Sequence, residues 1–240
     1  MRARLLAFAA AGAATLLASA APALATPAGF APQHSNHVKH QSVGGTFNQD
    51  GGNWSGWVSQ GSGFSSVSAS WTEPAVTCNS SNDLYAPWVG IDGYGSQSVE
   101  QTGVATDCSS GSPNYQAWYE MYPDSPVYYN NPVQAGDNFT ASVQRSGTNY
   151  TLTITDNTAG WTQHVTKSYN GANSSAEFIL ESPTGAYPDF GTVTFTGAKV
   201  NGSTYTGQGG VALDASNNSG FEDQTGAISN GSFDVNYVQE

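Results

Sequence analysis

Positive charge is scarce in this 240-residue chain: six Lys and Arg stand against 18 Asp and Glu, for a formal net charge of −12. Nucleic acid and anionic membranes both recruit basic patches, so neither is expected as a partner. The chain also has only two cysteines and four histidines. Three of the histidines, His34, His37 and His40, precede Asp50, which leaves His164 alone in the polar stretch Thr162-Gln163-His164-Val165. A zinc site in the main body of the chain therefore lacks ligands. A Ser-His or Cys-His nucleophile would have to use His164, and neither a Gly-x-Ser-x-Gly elbow nor a spare thiol accompanies it. After the first residues no apolar run approaches the roughly 18 residues that a membrane helix needs. No long amphipathic helix and no repeat of fixed period is visible either.

What is present begins with an export signal. Arg2 and Arg4 lead an almost wholly apolar run from Leu5 to Leu17, and Ala23-Leu24-Ala25 offers a small-residue cleavage site, so residues 1–25 read as a secretory signal peptide and the product as extracellular. Two of the six basic residues leave with it, and four remain against 18 acids. Carboxylate protonation then dominates the behaviour at low pH. In an exported protein the even pair Cys78 and Cys108 is expected to form a disulfide, closing a loop of about 30 residues and contributing roughly 3–4 kcal/mol. Residues 26–50 are poor in apolar side chains and read as a loose leader or short pro-segment. The three-residue spacing of its histidines would suit metal ligands on a helix, but Pro32 and Gly44-Gly45 argue against one, and no metal is expected.

From residue 51 to residue 240 short alternating runs are broken by Gly, Asn, Ser and Pro. Val67-Ser68-Ala69-Ser70-Trp71, Phe139-Thr140-Ala141-Ser142-Val143, Tyr150-Thr151-Leu152-Thr153-Ile154 and Val193-Thr194-Phe195-Thr196 carry the β-branched and aromatic residues of strands. About 190 residues of this kind predict one all-β domain, an antiparallel two-sheet β-sandwich of jelly-roll or lectin-like type.

Carboxylates and amides remain to carry chemistry. In Trp88-Val89-Gly90-Ile91-Asp92-Gly93, alternation sends Val89 and Ile91 to a core and Trp88 with Asp92 to the other face. In Ala117-Trp118-Tyr119-Glu120-Met121-Tyr122, Trp118, Glu120 and Tyr122 share a face. In Glu177-Phe178-Ile179-Leu180-Glu181, Phe178 and Leu180 fill the core and both glutamates lie opposite. Tryptophan beside acid, twice, suggests a face kept for binding. Glu177 and Glu181 cannot form a catalytic pair with each other, because four strand residues separate them by roughly 13 Å. Asp214, Asn217, Asn218, Glu222 and Asp223 could offer oxygen ligands to calcium, but their spacing matches no EF-hand and reads better as a solvated turn.

Taken in order, Trp88-Val89-Gly90-Ile91-Asp92-Gly93, Gln101-Thr102-Gly103-Val104, Ala117-Trp118-Tyr119-Glu120-Met121-Tyr122-Pro123 and Ala176-Glu177-Phe178-Ile179-Leu180-Glu181 resemble the glutamic peptidases, or eqolisins. Asn53-Trp54-Ser55-Gly56 and Asp189-Phe190-Gly191-Thr192-Val193-Thr194-Phe195 look like that family too. The resemblance implies an acid-acting endopeptidase without cofactor, acting as a monomer on protein or peptide. Its catalytic Gln falls on Gln101 and its catalytic Glu on Glu181, a choice that alternation alone leaves open between Glu177 and Glu181. Trp88, Asp92, Trp118 and Glu120 match positions lining the family's substrate cleft. Two positions depart from the pattern: Glu100 stands where the family has an apolar residue, and Phe178 replaces a Trp. A secreted carbohydrate-binding module would use the aromatic face without Gln101 and Glu181, and a glycosidase could pair Glu120 with Glu181.

Overall fold

The computed structural model describes residues 39–41 and 47–240. The expected signal peptide, His34, His37 and the side chain of His40 lie outside these. Among the described residues there is no helix, and the strands form two large sheets. The nine-stranded sheet runs Lys39–Gln41, Phe47–Asp50, Gly210–Asp214, Trp54–Gln60, Ser175–Glu181, Leu84–Ile91, Val99–Asp107, Asn114–Tyr122, Val127–Tyr128. The eight-stranded sheet runs Trp161–Ser168, Asn149–Asp156, Asn138–Ser146, Ser66–Thr72, Thr192–Val200, Phe233–Tyr237, Asp223–Thr225, with Ser203–Thr204 paired to Thr192–Val200. The pairing is antiparallel except where Gly210–Asp214 lies parallel to Phe47–Asp50. That strand falls inside the segment expected to be a leader. Asn48 ties it down by donating from Nδ2 to Asp214 Oδ1 and to the Thr225 carbonyl, both at 2.8 Å.

Strand alternation explains the core between the sheets. Val67, Ala69 and Trp71, with Phe139, Ala141 and Val143 and then Tyr150, Leu152 and Ile154, turn inward against Tyr85, Val89, Ile91, Phe178 and Leu180. The opposite face of the eight-stranded sheet is polar, with hydroxyl pairs such as Ser70–Thr140 at 2.8 Å and Thr151–Thr166 at 2.9 Å. The nine-stranded sheet differs, because Leu84–Ile91 and Ser175–Glu181 are buried at every position. Its outward residues form a second apolar cluster containing Trp54, Trp88, Tyr94, Val99, Trp118 and Ile179. The tryptophans expected to stand open on a binding face are thus fully enclosed. Trp54 meets Trp88 edge-on at 4.9 Å between ring centroids.

Cys78 and Cys108 form the expected disulfide across 30 residues. Replacing both by alanine should lower unfolding stability by roughly 3–4 kcal/mol, read from urea denaturation. A loss under about 1 kcal/mol would show that the backbone hydrogen bonds Cys108 N–H to Asp83 O, 3.0 Å, and Thr77 N–H to Asp189 O, 2.9 Å, already hold this loop.

Candidate active site

Register builds the site on the outward face of the nine-stranded sheet. Glu177, Gly90, Gln101 and Glu120 lie in one row across four strands, and Ile179, Trp88, Gly103 and Trp118 lie in the next. Glu181 falls one row further on, between Ala86 and Trp54. Two glycines let the Trp88 indole lie flat among these rows. A Cβ on Gly90 would come within 2.8 Å of its ring, and one on Gly103 within 2.6 Å of the Trp88 Cβ.

Glu181 is fully buried. Its Oε2 accepts the Trp88 indole N–H at 3.1 Å, and its Oε1 accepts Asn53 Nδ2 at 3.2 Å. Trp54 lies directly across from it on the neighbouring strand. Burial is the main influence on its acidity and, with the neighbouring Glu120 carboxyl, raises its pKa well above the ordinary glutamate range; the N–H groups around it pull the other way. Asn53 is braced in turn, because its Nδ2 also donates to the Ser182 carbonyl at 3.1 Å and its own carbonyl accepts the Tyr187 hydroxyl at 2.7 Å. Neither Asn53 nor Trp54 stood among the expected site residues. The Asn53-Trp54-Ser55-Gly56 motif was the available signal, but only pairing with the Glu181 strand shows what it serves.

Gln101 donates from Nε2 to Glu120 Oε2 at 2.7 Å, directly across the row. An acceptor on Glu120 holds the nitrogen end of the carboxamide in place. Glu120 therefore touches Gln101 by hydrogen bond and Glu181 through its charge. Trp118, in the adjacent row, is fully buried beside them.

Asp92 does not join this group. The strand ends at Ile91, and Asp92 takes φ of 66°, so the alternation that should carry it to the Trp88 face stops one residue short. Its carboxylate instead accepts the Asn173 and Ser174 backbone N–H groups, each at 2.8 Å. Glu100, on the inward side of the Gln101 strand, lies close to it: a Cβ on Gly171 would meet Asp92 Oδ2 at 2.6 Å and Glu100 Oε2 at 3.1 Å. Burial first and Asp92 second push Glu100 up to about 8. Glu177, fully buried, is also raised well above the ordinary range, by burial first and then by Asp92 and Glu100, while the nearby Ser175 hydroxyl and Tyr94 backbone pull the other way. The two glutamates of one strand thus have different surroundings. Glu181 feels the Glu120 charge, whereas Glu177 feels those of Asp92 and Glu100.

The remaining buried acids serve the fold. Glu73 accepts Tyr85 Oη at 2.8 Å, Thr106 Oγ1 at 2.9 Å and Trp71 Nε1 at 3.2 Å, and burial still pushes it up to about 7. In the Asp214 to Asp223 segment, Asp214 Oδ1 accepts the Thr225 N–H at 2.7 Å and Asp223 Oδ2 the Ser55 hydroxyl at 3.0 Å. Among the described residues no three His, Cys, Asp or Glu are gathered as a metal ion requires.

Comparison with known proteins gives a consistent answer. Residues 52–237 match the model of the peptidase A4 family. Aspergillopepsin-2 of Aspergillus niger is 30% identical over 232 residues, covering 82% of this chain and 81% of that protein. Scytalidopepsin B of Scytalidium lignicola is 37% identical over 138 residues, 54% of this chain and 51% of its own. The crystal structure of scytalido-glutamic peptidase with a transition state analog inhibitor superimposes with a TM-score of 0.70 at 26% identity, covering 78% of this chain and 98% of that one. A structure of the eqolisin SCP-B in complex with the tripeptide Ala-Ile-His gives 0.67 at 26% identity over the same shares of the two chains.

Proposed function

This chain belongs to the peptidase A4 family, the glutamic peptidases, and from that premise we propose that Gln101 and Glu181 form its catalytic dyad. The observation that carries the assignment is the pairing of opposed demands at Glu181, a buried carboxyl ringed by Trp88, Trp54 and Asn53 and facing the Glu120 that orients Gln101. Family membership displaces the carbohydrate-directed readings of the same face.

As a carboxylate, Glu181 takes a proton from water while the water oxygen adds to the carbonyl carbon of the peptide bond. The carbonyl oxygen gains the negative charge, and Gln101 donates to it from Nε2. One Nε2 hydrogen is directed to Glu120, which fixes the plane of the carboxamide. The tetrahedral species then collapses, the C–N bond breaks, and Glu181 returns its proton to the departing nitrogen, giving a carboxylic acid and an amine. The raised pKa of Glu181 suits both roles, because a group that must accept and then return a proton works best near its own pKa. Activity should rise with pH as Glu181 ionises and fall as the buried acids Glu73, Glu100 and Glu222, pushed up to about 7 to 8, ionise and loosen the fold. Trp88 and Trp118 wall the bound peptide, and Asp92 supports the cleft by holding Asn173 and Ser174. The substrate is protein or peptide, and the Cys78–Cys108 disulfide supports the expected oxidising, extracellular setting.

Digestion of a denatured protein, with mass spectrometry of the fragments, tests the reading. Internal cleavage without release of reducing sugar from glycans is expected, and the reverse would sink it. Trp88→Phe removes one donor from Glu181 and keeps an aromatic ring. It should lower kcat about ten-fold and shift the rising limb of the pH profile upward, since a lost donor to the carboxylate favours the protonated form. An unchanged limb would detach Trp88 from the acidity of Glu181.

A further inference from the structure

The outward face of the nine-stranded sheet continues past Glu181 into a recess that the chemistry above does not use. Leu84, Ala105, Asp107, Asn114, Gln116 and Tyr128 line this shallow recess. Its position follows from register. Ala86 lies directly beside Glu181, and Leu84 is the next residue on the same face of the same strand. Leu84 pairs with Asp107, Asp107 with Asn114 and Ala105 with Gln116, so the lining comes from the three strands that also carry Trp88, Gln101 and Glu120. Tyr128 closes the recess on the side toward the dyad: it pairs with Trp118, and burial first, then the charges of Glu120 and Asp107, raise the pKa of its hydroxyl.

The lining has two parts. Leu84 and Ala105 are nearly buried and make an apolar floor with the Tyr128 ring. Asp107 is the one charged group. Its two oxygens accept the Ser109 N–H at 2.7 Å and the Ser109 hydroxyl at 3.1 Å, which fixes its direction, and among the described residues it is in no ion pair. We propose that this recess is a specificity subsite for a substrate side chain with an apolar stem and a cationic tip, lysine or arginine, the stem lying on Leu84, Ala105 and Tyr128 and the tip reaching Asp107 and the amides of Asn114 and Gln116. Long basic side chains bury their methylene stems on apolar surface while keeping the charged end on a polar partner. The inference rests on the peptidase reading and adds a substrate preference to it.

The test is a series of peptides sharing one scissile bond, with lysine, norleucine or alanine placed in turn at each of three positions on either side. At one position the wild type should prefer lysine to norleucine about five-fold in kcat/KM, the order of a partly exposed ion pair. Asp107→Asn should bring that ratio to about one, and Ala105→Leu, which fills the floor, should lower both long side chains relative to alanine at the same position. High salt should erode the lysine preference. A preference of equal size at every position would mark general attraction of cationic peptides to an acidic protein and overturn the subsite. So would a ratio unmoved in Asp107→Asn, which would leave Asp107 as a turn residue bonded to Ser109. If Glu181→Gln cleaves these peptides as fast as wild type, the dyad assignment fails. A wild type that cleaves without regard to lysine overturns the subsite alone.

Discussion

Glu181→Gln should cut kcat on a protein substrate about 10³-fold or more while leaving the fold intact. Glutamine keeps the volume and can still accept the Trp88 and Asn53 N–H groups on its oxygen, but it cannot take a proton from water, and a positioned general base contributes on the order of 10²–10⁴ in rate. Gln101→Glu should cost about 10²–10³, the worth of one oxyanion donor, because an ionised carboxyl beside Glu120 has no hydrogen to give and adds a like charge at the hydrogen-bond distance that Gln101 now occupies, 2.7 Å. The two variants should differ in pH dependence. Glu181→Gln loses the rising limb altogether, whereas Gln101→Glu keeps a rising limb set by Glu181 but at a lower ceiling. Timed digestion from pH 2 to 7, with circular dichroism to confirm folding, reads both. Activity within ten-fold of wild type in either variant would remove the dyad.

The second large effect is on stability. Buried acids whose folded pKa is raised bind their protons more tightly in the folded chain than in the unfolded one. Their contribution is fully present below about 4.5 and is lost as pH climbs toward the folded values, at about 1.4 kcal/mol per pH unit for each group. With Glu73 and Glu222 up to about 7 and Glu100 up to about 8, the decline should run from about pH 4.5 to 8. Glu177 and Asp223, raised further by burial, act in the same direction. Glu100→Gln tests the largest of the numbered shifts. It removes a charge that would develop against Asp92 between the sheets, so at pH 8 it should stabilise the protein by about 3 kcal/mol, roughly 6–12 °C in Tm, while changing little at pH 4. Equal Tm changes at both pH values would show that Glu100 does not ionise in the folded protein.

Much of this was legible before any coordinates. Period-two alternation is a local property of a strand, so Val67-Ser68-Ala69-Ser70-Trp71 and Tyr150-Thr151-Leu152-Thr153-Ile154 announced both their conformation and their inward faces. The same parity put Trp118 with Glu120, separated Glu100 from Gln101, and set both Glu177 and Glu181 opposite the core. The even cysteine count and the export signal predicted the disulfide. Four ordered motifs, more specific together than any one alone, pointed to the family.

The tertiary structure decided the rest, because it depended on which strands become neighbours and in what register. Glu177 and Glu181 are alike in parity and differ in what lies across from them, Gly90 with Val58 in one case and Ala86 with Trp54 in the other. Asn53 reaches Glu181 over 128 residues of chain, a distance no local pattern spans. Asp92 left the face predicted for it because its backbone turns to φ 66° just after Ile91, and alternation describes only a chain that stays extended. The tryptophans are enclosed because strands distant in sequence bring their rings together. The sequence by itself determined the strands, their faces and the kinds of residue available for chemistry, all of which follow from steric preferences within a few residues. Long-range pairing decided the surroundings of each carboxyl, since only contact across the sheet gives one of two equivalent glutamates its own neighbours.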